Sequence, residues 1–312
     1  MLRQYLILVR LPNVFTAPSN VLTGYLAAVV PAANADALQL FLLLLSSILL
    51  YIAGTVFNDY FDIELDKRER PYRPLPSGGI TKKVALLIAI ISLISANILA
   101  FTASMSSLAV CIIMSVMVIG YDYKLKNTFF GPIAMGIIRS LNIILGASPT
   151  LFVILIPYNH TNANFILARI IIVSLSLFVY VMAISLLSRK EVVTGEELEG
   201  KHSYTQTRQI IIISFLLVLS VILSILFAVF FGIFKMNLFV SLVLFSAIMV
   251  ITFKQTNYHN SLTIQNAIKH MVISIIVLDS IFITGLTGSY YGLLTLILAL
   301  PSIFLARKFY VT

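Results

Sequence analysis

The sequence predicts an all-α protein, a polytopic transmembrane helix bundle with nine to ten spans. Of its 312 residues, 60% are hydrophobic and only 11% are charged, with a mean hydropathy of +1.02, whereas a soluble domain carries about 25% charged residues. The apolar segments are long and lack the alternation of membrane strands. Only helices and closed barrels satisfy the backbone in lipid. Residues 1–312 are therefore expected to form a single helical domain in a lipid bilayer.

The length of the apolar segments sets the predicted spans. A bilayer core takes about 20 apolar residues as a helix, so the uncharged run over residues 85–121 is divided at 102–107. Arg10 and Pro12 interrupt the first apolar stretch, which favours a membrane span over a cleaved signal peptide. The predicted spans lie near residues 12–31, 38–58, 80–101, 106–121, 130–156, 164–187, 208–234, 237–253, 265–287 and 290–307.

Basic residues concentrate in every second connection between spans, with Lys235 as the exception. The positive-inside rule places such connections in the cytoplasm. We therefore expect an integral protein of the cell membrane, with both termini and the two long polar loops (58–83 and 189–207) cytoplasmic. The net charge of +9 then has a topological explanation, and no nucleic-acid partner is expected.

The first polar loop carries regularly spaced oxygen ligands. Asn58, Asp62 and Asp66 are four residues apart, which stacks them along one face of a helix, and Asp59 can flank that face. Carboxylates this close repel one another unless a cation holds them. Oxygen ligands suit Mg²⁺, which bridges carboxylates to substrate phosphates.

Basic side chains follow these acids directly. Lys67, Arg68, Arg70 and Arg73 come next, and the run ends in the rigid, proline-rich segment over residues 70–76. Guanidinium groups bind phosphate oxygens in a bidentate manner. The alternative is a solvated loop whose charges neutralise each other, but such a loop requires no regular spacing. The order of acids and bases therefore indicates a Mg²⁺–diphosphate site at the membrane face.

This loop resembles the signature of the UbiA family of intramembrane prenyltransferases. Residues 58–66 read Asn-Asp-Tyr-Phe-Asp-Ile-Glu-Leu-Asp, and residues 70–78 read Arg-Pro-Tyr-Arg-Pro-Leu-Pro-Ser-Gly. They match the family patterns N-D-x-x-D-x-x-x-D and R-x-x-R-P-x-x-x-G. The resemblance extends over most of the chain, including residues 10–13, 121–126 and 136–146.

The resemblance implies a helical bundle with a lipid-facing cavity and Mg²⁺-dependent transfer of a prenyl group. The donor would be an isoprenyl diphosphate, and the acceptor aromatic or of the glycerolipid type. By the same resemblance the metal ligands are Asn58, Asp62 and Asp66, assisted by Asp59 and Glu191. The residues expected to bind the substrates are Lys67, Arg70, Arg73, Lys126, Tyr121, Arg139, Asn142 and Asn13.

The second polar loop departs from the family pattern D-x-x-D-x-x-G-D. Ser188 stands at the first acidic position and Glu191 at the second, while Glu196 is displaced by one residue from the last. This form resembles a divergent subgroup, the EboC-like proteins. The departure predicts fewer metal ligands, a changed acceptor, or a family member that has lost catalysis.

Two other function classes stay open. A transporter is compatible with about ten spans, but transporters place polar residues near the bilayer midplane on broken helices, whereas here the polar residues concentrate at one face. A catalytically silent protein that binds isoprenoid lipid is the other. Arg139 could contact substrate or act as a structural hub, and Asp279 is expected to join helices more than to act as a base.

Overall fold

The computed structural model describes residues 2–29, 35–155, 160–189, 201–257 and 260–309, and within these ranges the chain is helical without strands. Eight segments are long and apolar enough to cross a bilayer, which confirms the predicted polytopic helix bundle. They belong to α4 (Ala37–Phe61), α6 (Lys82–Ala103), α7 (Met105–Tyr123), α8 (Gly131–Leu155), α9 (His160–Ser188), α10 (Lys201–Phe230), α11 (Phe239–Gln255) and α12 (Ser261–Thr287). The chain is an integral membrane protein.

The first and last predicted spans are built from shorter pieces, so the count of nine to ten spans is approximate. The N-terminal segment forms α1 (Leu2–Leu8), α2 (Leu11–Val14) and α3 (Thr16–Val29). The C-terminal segment forms α13 (Tyr291–Leu294), a 3₁₀ turn and α14 (Ala299–Phe309). A short helix α5 (Ile63–Glu69) follows α4 on the first polar loop.

Helix α3 lies at the centre of the bundle. Twelve of its 14 residues are buried, and it packs against α4, α8, α9 and α12. Because protein surrounds it, α3 carries polar residues that a lipid-facing helix would not tolerate. Its Ser19, Asn20 and Thr23 side chains donate hydrogen bonds of 2.6, 2.8 and 3.0 Å to the buried carboxylate of Asp279 on α12. Asp279 therefore joins α12 to α3.

Glycines allow α3 and α8 to approach at backbone distance. A methyl group added at Gly146 would lie 2.1 Å from the Val21 carbonyl oxygen, and one added at Gly24 would lie 1.9 Å from that of Ile143. Small residues serve this purpose in membrane helix pairs, which gain stability from close packing. The α3–α8 contact fixes α8, whose Asn142 side chain bonds to Ser47 and to the Ala17 carbonyl at 2.8 Å each.

We expect Gly146→Ala to destabilise the bundle, because its methyl group meets backbone atoms that cannot rotate away. Overpacking a core costs about 1–3 kcal/mol. Gly120→Ala is the matched control, since the nearest neighbour of its new methyl group is 4.0 Å away. The measurement is the thermal unfolding midpoint in detergent. A midpoint equal to that of Gly120→Ala would contradict the close packing of α3 on α8.

Candidate active site

A cavity of about 500 Å³ opens where α2, α4, α5, α7, α8, α9 and α12 converge. Its aliphatic lining includes Ile138, Ile184 and Ile275 from α8, α9 and α12. Its polar side chains include the five cations Arg10, Arg70, Arg73, Lys126 and Arg139, and the two carboxylates Asp62 and Asp122 among the described residues. A strongly polar mouth on an apolar chamber suits a ligand with a charged head and a hydrocarbon tail.

Most of the residues predicted for the site line this cavity together. They are Asn13, Asn58, Asp62, Arg70, Arg73, Tyr121, Lys126, Arg139 and Asn142. Asp59 and Asp66 are buried beside the cavity and do not belong to its lining. Glu191 lies outside the described residues, so its predicted role stays a prediction.

Asn58, Asp62 and Asp66 do not lie on one regular helix, although the Asp62 N–H bonds to the Asn58 carbonyl at 3.0 Å and the Asp66 N–H to the Asp62 carbonyl at 2.8 Å. Helix α4 ends at Phe61, and Asp62 adopts φ −87° and ψ 5° before α5 begins at Ile63. Asn58 and Asp62 face the cavity, whereas Asp66 is 1% exposed and turned towards two arginines. Asp66 thus pairs with arginines, whereas Asn58 and Asp62 line the cavity.

A buried network of ion pairs holds the acids that do not face the cavity. Arg73 Nη1 lies 2.8 Å and 3.1 Å from the two carboxylate oxygens of Asp66, and Arg70 Nη1 lies 3.7 Å away. The same Arg73 nitrogen is 3.4 Å from Asp59, which also accepts a 3.0 Å hydrogen bond from Arg10 Nη2. Burial raises the pKa of the Asp66 carboxyl, and the Arg73 guanidinium opposes that shift.

Local backbone structure positions both arginines. Arg10 has φ 49°, and among the described residues no other non-glycine residue has a positive φ. This conformation costs energy and must be imposed by its surroundings, here by the ion pair to Asp59 and the turn into α2. Arg73 is held by turns in which its N–H bonds to Arg70 and the Ser77 N–H bonds to the Arg73 carbonyl, both at 3.0 Å.

The cavity mouth offers oxygen donors for a metal. Asn58, Asp62 and Asp122 line it, and Lys126 Nζ lies 2.5 Å from Asp62. The described residues contain no group of three His, Cys, Asp or Glu side chains placed to bind a metal alone. Two carboxylates and an amide suit a hard cation that keeps water or phosphate oxygens among its ligands, as Mg²⁺ does.

The structure removes one residue from the predicted site and adds two. Lys67 is exposed and pairs with Glu64 at 2.9 Å, away from the cavity lining, because one residue after Asp66 a helical side chain points about 100° away. Asp122 and Arg10 were missed as site residues. Asp122 is buried at the end of α7 beside Tyr121, and an acid at the end of an apolar run is the signal that could have found it.

Arg139, on α8, places a further positive charge on the cavity wall. Its guanidinium lies 5.5 Å from the centroid of the Tyr51 ring, and Nη1 is 3.3 Å from the Asn20 side-chain oxygen. No carboxylate of the described residues lies within 4.0 Å of it. Ser188, the last residue of α9, also lines the cavity.

Comparisons with known proteins identify the family of this chain. The model of the UbiA prenyltransferase family matches residues 19–275. Digeranylgeranylglyceryl phosphate synthase of Methanosphaera stadtmanae is 30% identical over 187 residues, which cover 59% of this chain and 61% of that protein. This chain thus matches less than two thirds of that relative's length.

Two solved structures share the fold. The apo structure of a UbiA homologue from Aeropyrum pernix K1 superposes with a TM-score of 0.67 at 11% identity, covering 87% of this chain and 97% of that one. A UbiA homologue from Archaeoglobus fulgidus bound to GPP and Mg²⁺ has a TM-score of 0.57 at 13% identity, covering 94% and 99%. With the family match over most of its length, the chain belongs to the UbiA prenyltransferase family.

Proposed function

We propose that this protein transfers a prenyl group from an isoprenyl diphosphate to a lipid of the glyceryl phosphate type, with Mg²⁺ as cofactor. The observation that carries the proposal is the cavity, in which carboxylates and cations ring the mouth of an aliphatic chamber. The Archaeoglobus homologue bound to GPP and Mg²⁺ supports the donor and the metal. The name of the Methanosphaera relative supports the acceptor.

The donor's diphosphate would lie at the mouth, between the cations and the metal ligands. Asn58 and Asp62 would hold Mg²⁺, with Asp122 beside them. Lys126 and Arg70 line the same region and would bind the diphosphate oxygens directly. The bound Mg²⁺ would supply positive charge that stabilises the departing diphosphate.

The reaction requires the allylic C–O bond to break with its electron pair leaving on the diphosphate. Arg70 and Lys126 stabilise the negative charge that grows there, in a site where little water screens it. The aliphatic walls hold the allylic carbon away from water that would quench it. The acceptor hydroxyl oxygen then bonds to that carbon, and its proton passes to the departing pyrophosphate or to water, which yields an ether and pyrophosphate.

The acceptor's anionic head can be placed at Arg139. This half-buried cation lies on the cavity wall apart from the carboxylates of the mouth, and it stacks on Tyr51. A glyceryl phosphate and an aromatic carboxylate would both satisfy such a cation. The name of the relative favours the glyceryl phosphate, and the aromatic acceptor is the competing outcome of the test.

The test uses purified protein in lipid vesicles with Mg²⁺ and geranyl, farnesyl or geranylgeranyl diphosphate. Each donor is paired with geranylgeranylglyceryl phosphate or with 4-hydroxybenzoate, and products are identified by mass spectrometry. A prenylated glyceryl phosphate supports the proposal, and a prenylated aromatic acid overturns the acceptor. Binding of the donor without any pyrophosphate release would indicate a silent isoprenoid-binding protein. Transport of a solute across the vesicle membrane, with neither donor binding nor pyrophosphate release, would indicate a transporter.

We further propose that the protein resides in the cell membrane with both termini and the cavity mouth in the cytoplasm. Helix α1 packs against α14 and α4, and Ser302 of α14 bonds to the Pro12 carbonyl at 2.6 Å. This packing supports placing the two terminal segments on the same side, beside the basic loop.

We expect reporter tags fused at Met1 and Thr312 to be protected from an impermeant protease in intact cells and cleaved after lysis. The reason is the shared basic surface near both ends, which the positive-inside rule retains in the cytoplasm. A tag inserted after Gly232, in the turn before α11, is the control that should be cleaved in intact cells. Termini on opposite sides would contradict the proposed topology.

We expect Asp62→Asn to lower kcat at least about a hundredfold, because it removes a carboxylate from the proposed metal position. The bundle should stay folded, since Asp62 lies at the cavity and not in the core. Glu69→Gln is the matched control, as Glu69 is an exposed acid on α5. Turnover is measured by pyrophosphate release, and near wild-type turnover in Asp62→Asn would contradict the assignment.

A further inference from the structure

Arg73 is bound to an acid although it lines the cavity. Its guanidinium contacts both oxygens of Asp66 through Nη1, at 2.8 Å and 3.1 Å, and its side chain is 9% exposed. Asp66 is the third acid of the motif whose first two positions, Asn58 and Asp62, face the cavity. The last acid is thus neutralised by an internal cation.

A metal ion and this guanidinium cannot hold the same two oxygens together. Both are cations, and the contacts leave no space on that edge of the Asp66 carboxylate. Metal binding to both oxygens on that edge of Asp66 therefore requires Arg73 to leave. Arg73 is already part of the cavity lining, so a side-chain rotation can carry it to an anion at the mouth.

The backbone beneath Arg73 is fixed, which confines the movement to the side chain. The Arg73 N–H and carbonyl are both in turn hydrogen bonds of 3.0 Å, and the Ile80 N–H bonds to the Pro74 carbonyl, also at 3.0 Å. Pro71, Pro74 and Pro76 restrict the same segment. Arginine's long side chain can change partners without moving this loop.

The departure of Arg73 does not leave Asp59 without a cationic partner. It pairs with Arg10 at 3.0 Å, closer than its 3.4 Å contact to Arg73. When Arg73 moves away, Asp59 keeps a cationic partner, and Asp66 gains the metal. Neither buried carboxylate is then left alone, which would be strongly unfavourable.

We propose that Arg73 is an exchangeable counter-ion, paired with Asp66 in the ligand-free protein and transferred to the diphosphate when metal binds Asp66. This inference rests on the proposed function. It assigns Asp59 a positioning role, holding Arg10 and Arg73, in place of the metal-site role predicted from the sequence. Metal and diphosphate then promote each other's binding by the same factor, and the free protein binds a bare cation weakly.

The test measures Mn²⁺ binding by electron paramagnetic resonance on the full chain in lipid nanodiscs, with and without inorganic pyrophosphate. For the wild-type protein we expect pyrophosphate to tighten Mn²⁺ binding at least about tenfold. In Arg73→Gln, Mn²⁺ alone should bind about tenfold more tightly than in wild type, and the coupling should largely disappear. Arg68→Gln removes an exposed arginine from the same loop and should behave as wild type.

A second variant keeps the test decisive if Arg73→Gln does not fold. Asp66→Asn releases Arg73, so pyrophosphate should bind more tightly without metal than it does to wild type, measured by calorimetry. Glu69→Gln removes an exposed acid and should show little change. Unchanged pyrophosphate affinity in Asp66→Asn, or unchanged Mn²⁺ affinity and coupling in folded Arg73→Gln, overturns the proposal that Arg73 exchanges partners.

The wild-type protein separates failure of this proposal from failure of the proposed function. If wild type binds both Mn²⁺ and pyrophosphate, the proposed function survives; if it binds neither, both proposals fail.

Discussion

The ion pairs between Asp59, Asp66, Arg10 and Arg73 are the interaction on which the site depends. They tie the turn before α2, the end of α4, helix α5 and the proline-rich loop to one another. Removing one partner of a buried pair leaves an uncompensated charge and costs about 3–5 kcal/mol. The network therefore fixes the mouth of the cavity, and it does so with charges that a substrate diphosphate and a metal can replace.

The membrane explains why these charges gather at one end. A buried charge is expensive in hydrocarbon unless it is paired or lines a polar cavity, and the aliphatic walls contributed by α8, α9 and α12 suit a prenyl chain. Helix α3, at the centre of the bundle, holds the helices that form these walls in place. Its close glycine contact with α8 and its hydrogen bonds to Asp279 on α12 hold the walls together.

The sequence was sufficient for the architecture and for most of the site, because both follow from local patterns. Long uncharged runs determine spans, and the motif spacing brought Asn58 and Asp62 to the same cavity. The sequence could not show that Asp66 pairs with an arginine seven residues later, because that contact depends on how the proline-rich loop folds back onto α5. Lys67 was assigned to the substrate by its neighbours in sequence, whereas the turn of α5 points it outward.

Residues from distant elements explain the remaining omissions. Arg10 lies in the turn before α2 and Asp122 at the end of α7, and both meet the motif only through folding. The first and last spans were predicted as continuous from hydropathy, which does not detect helices interrupted within a protein-surrounded segment. Glu191 and the second acidic position stay predictions, since they lie outside the described residues.

The most direct measurement is a structure of this protein with Mn²⁺ and a non-hydrolysable thiodiphosphate analogue of geranylgeranyl diphosphate, with the metal located by its anomalous signal. Our account places the metal beside Asn58 and Asp62, the diphosphate among Lys126, Arg70 and Arg73, and the hydrocarbon chain along α8, α9 and α12. A diphosphate bound elsewhere, or a metal peak absent from this mouth, would contradict the assignment of the cavity as a prenyl diphosphate site.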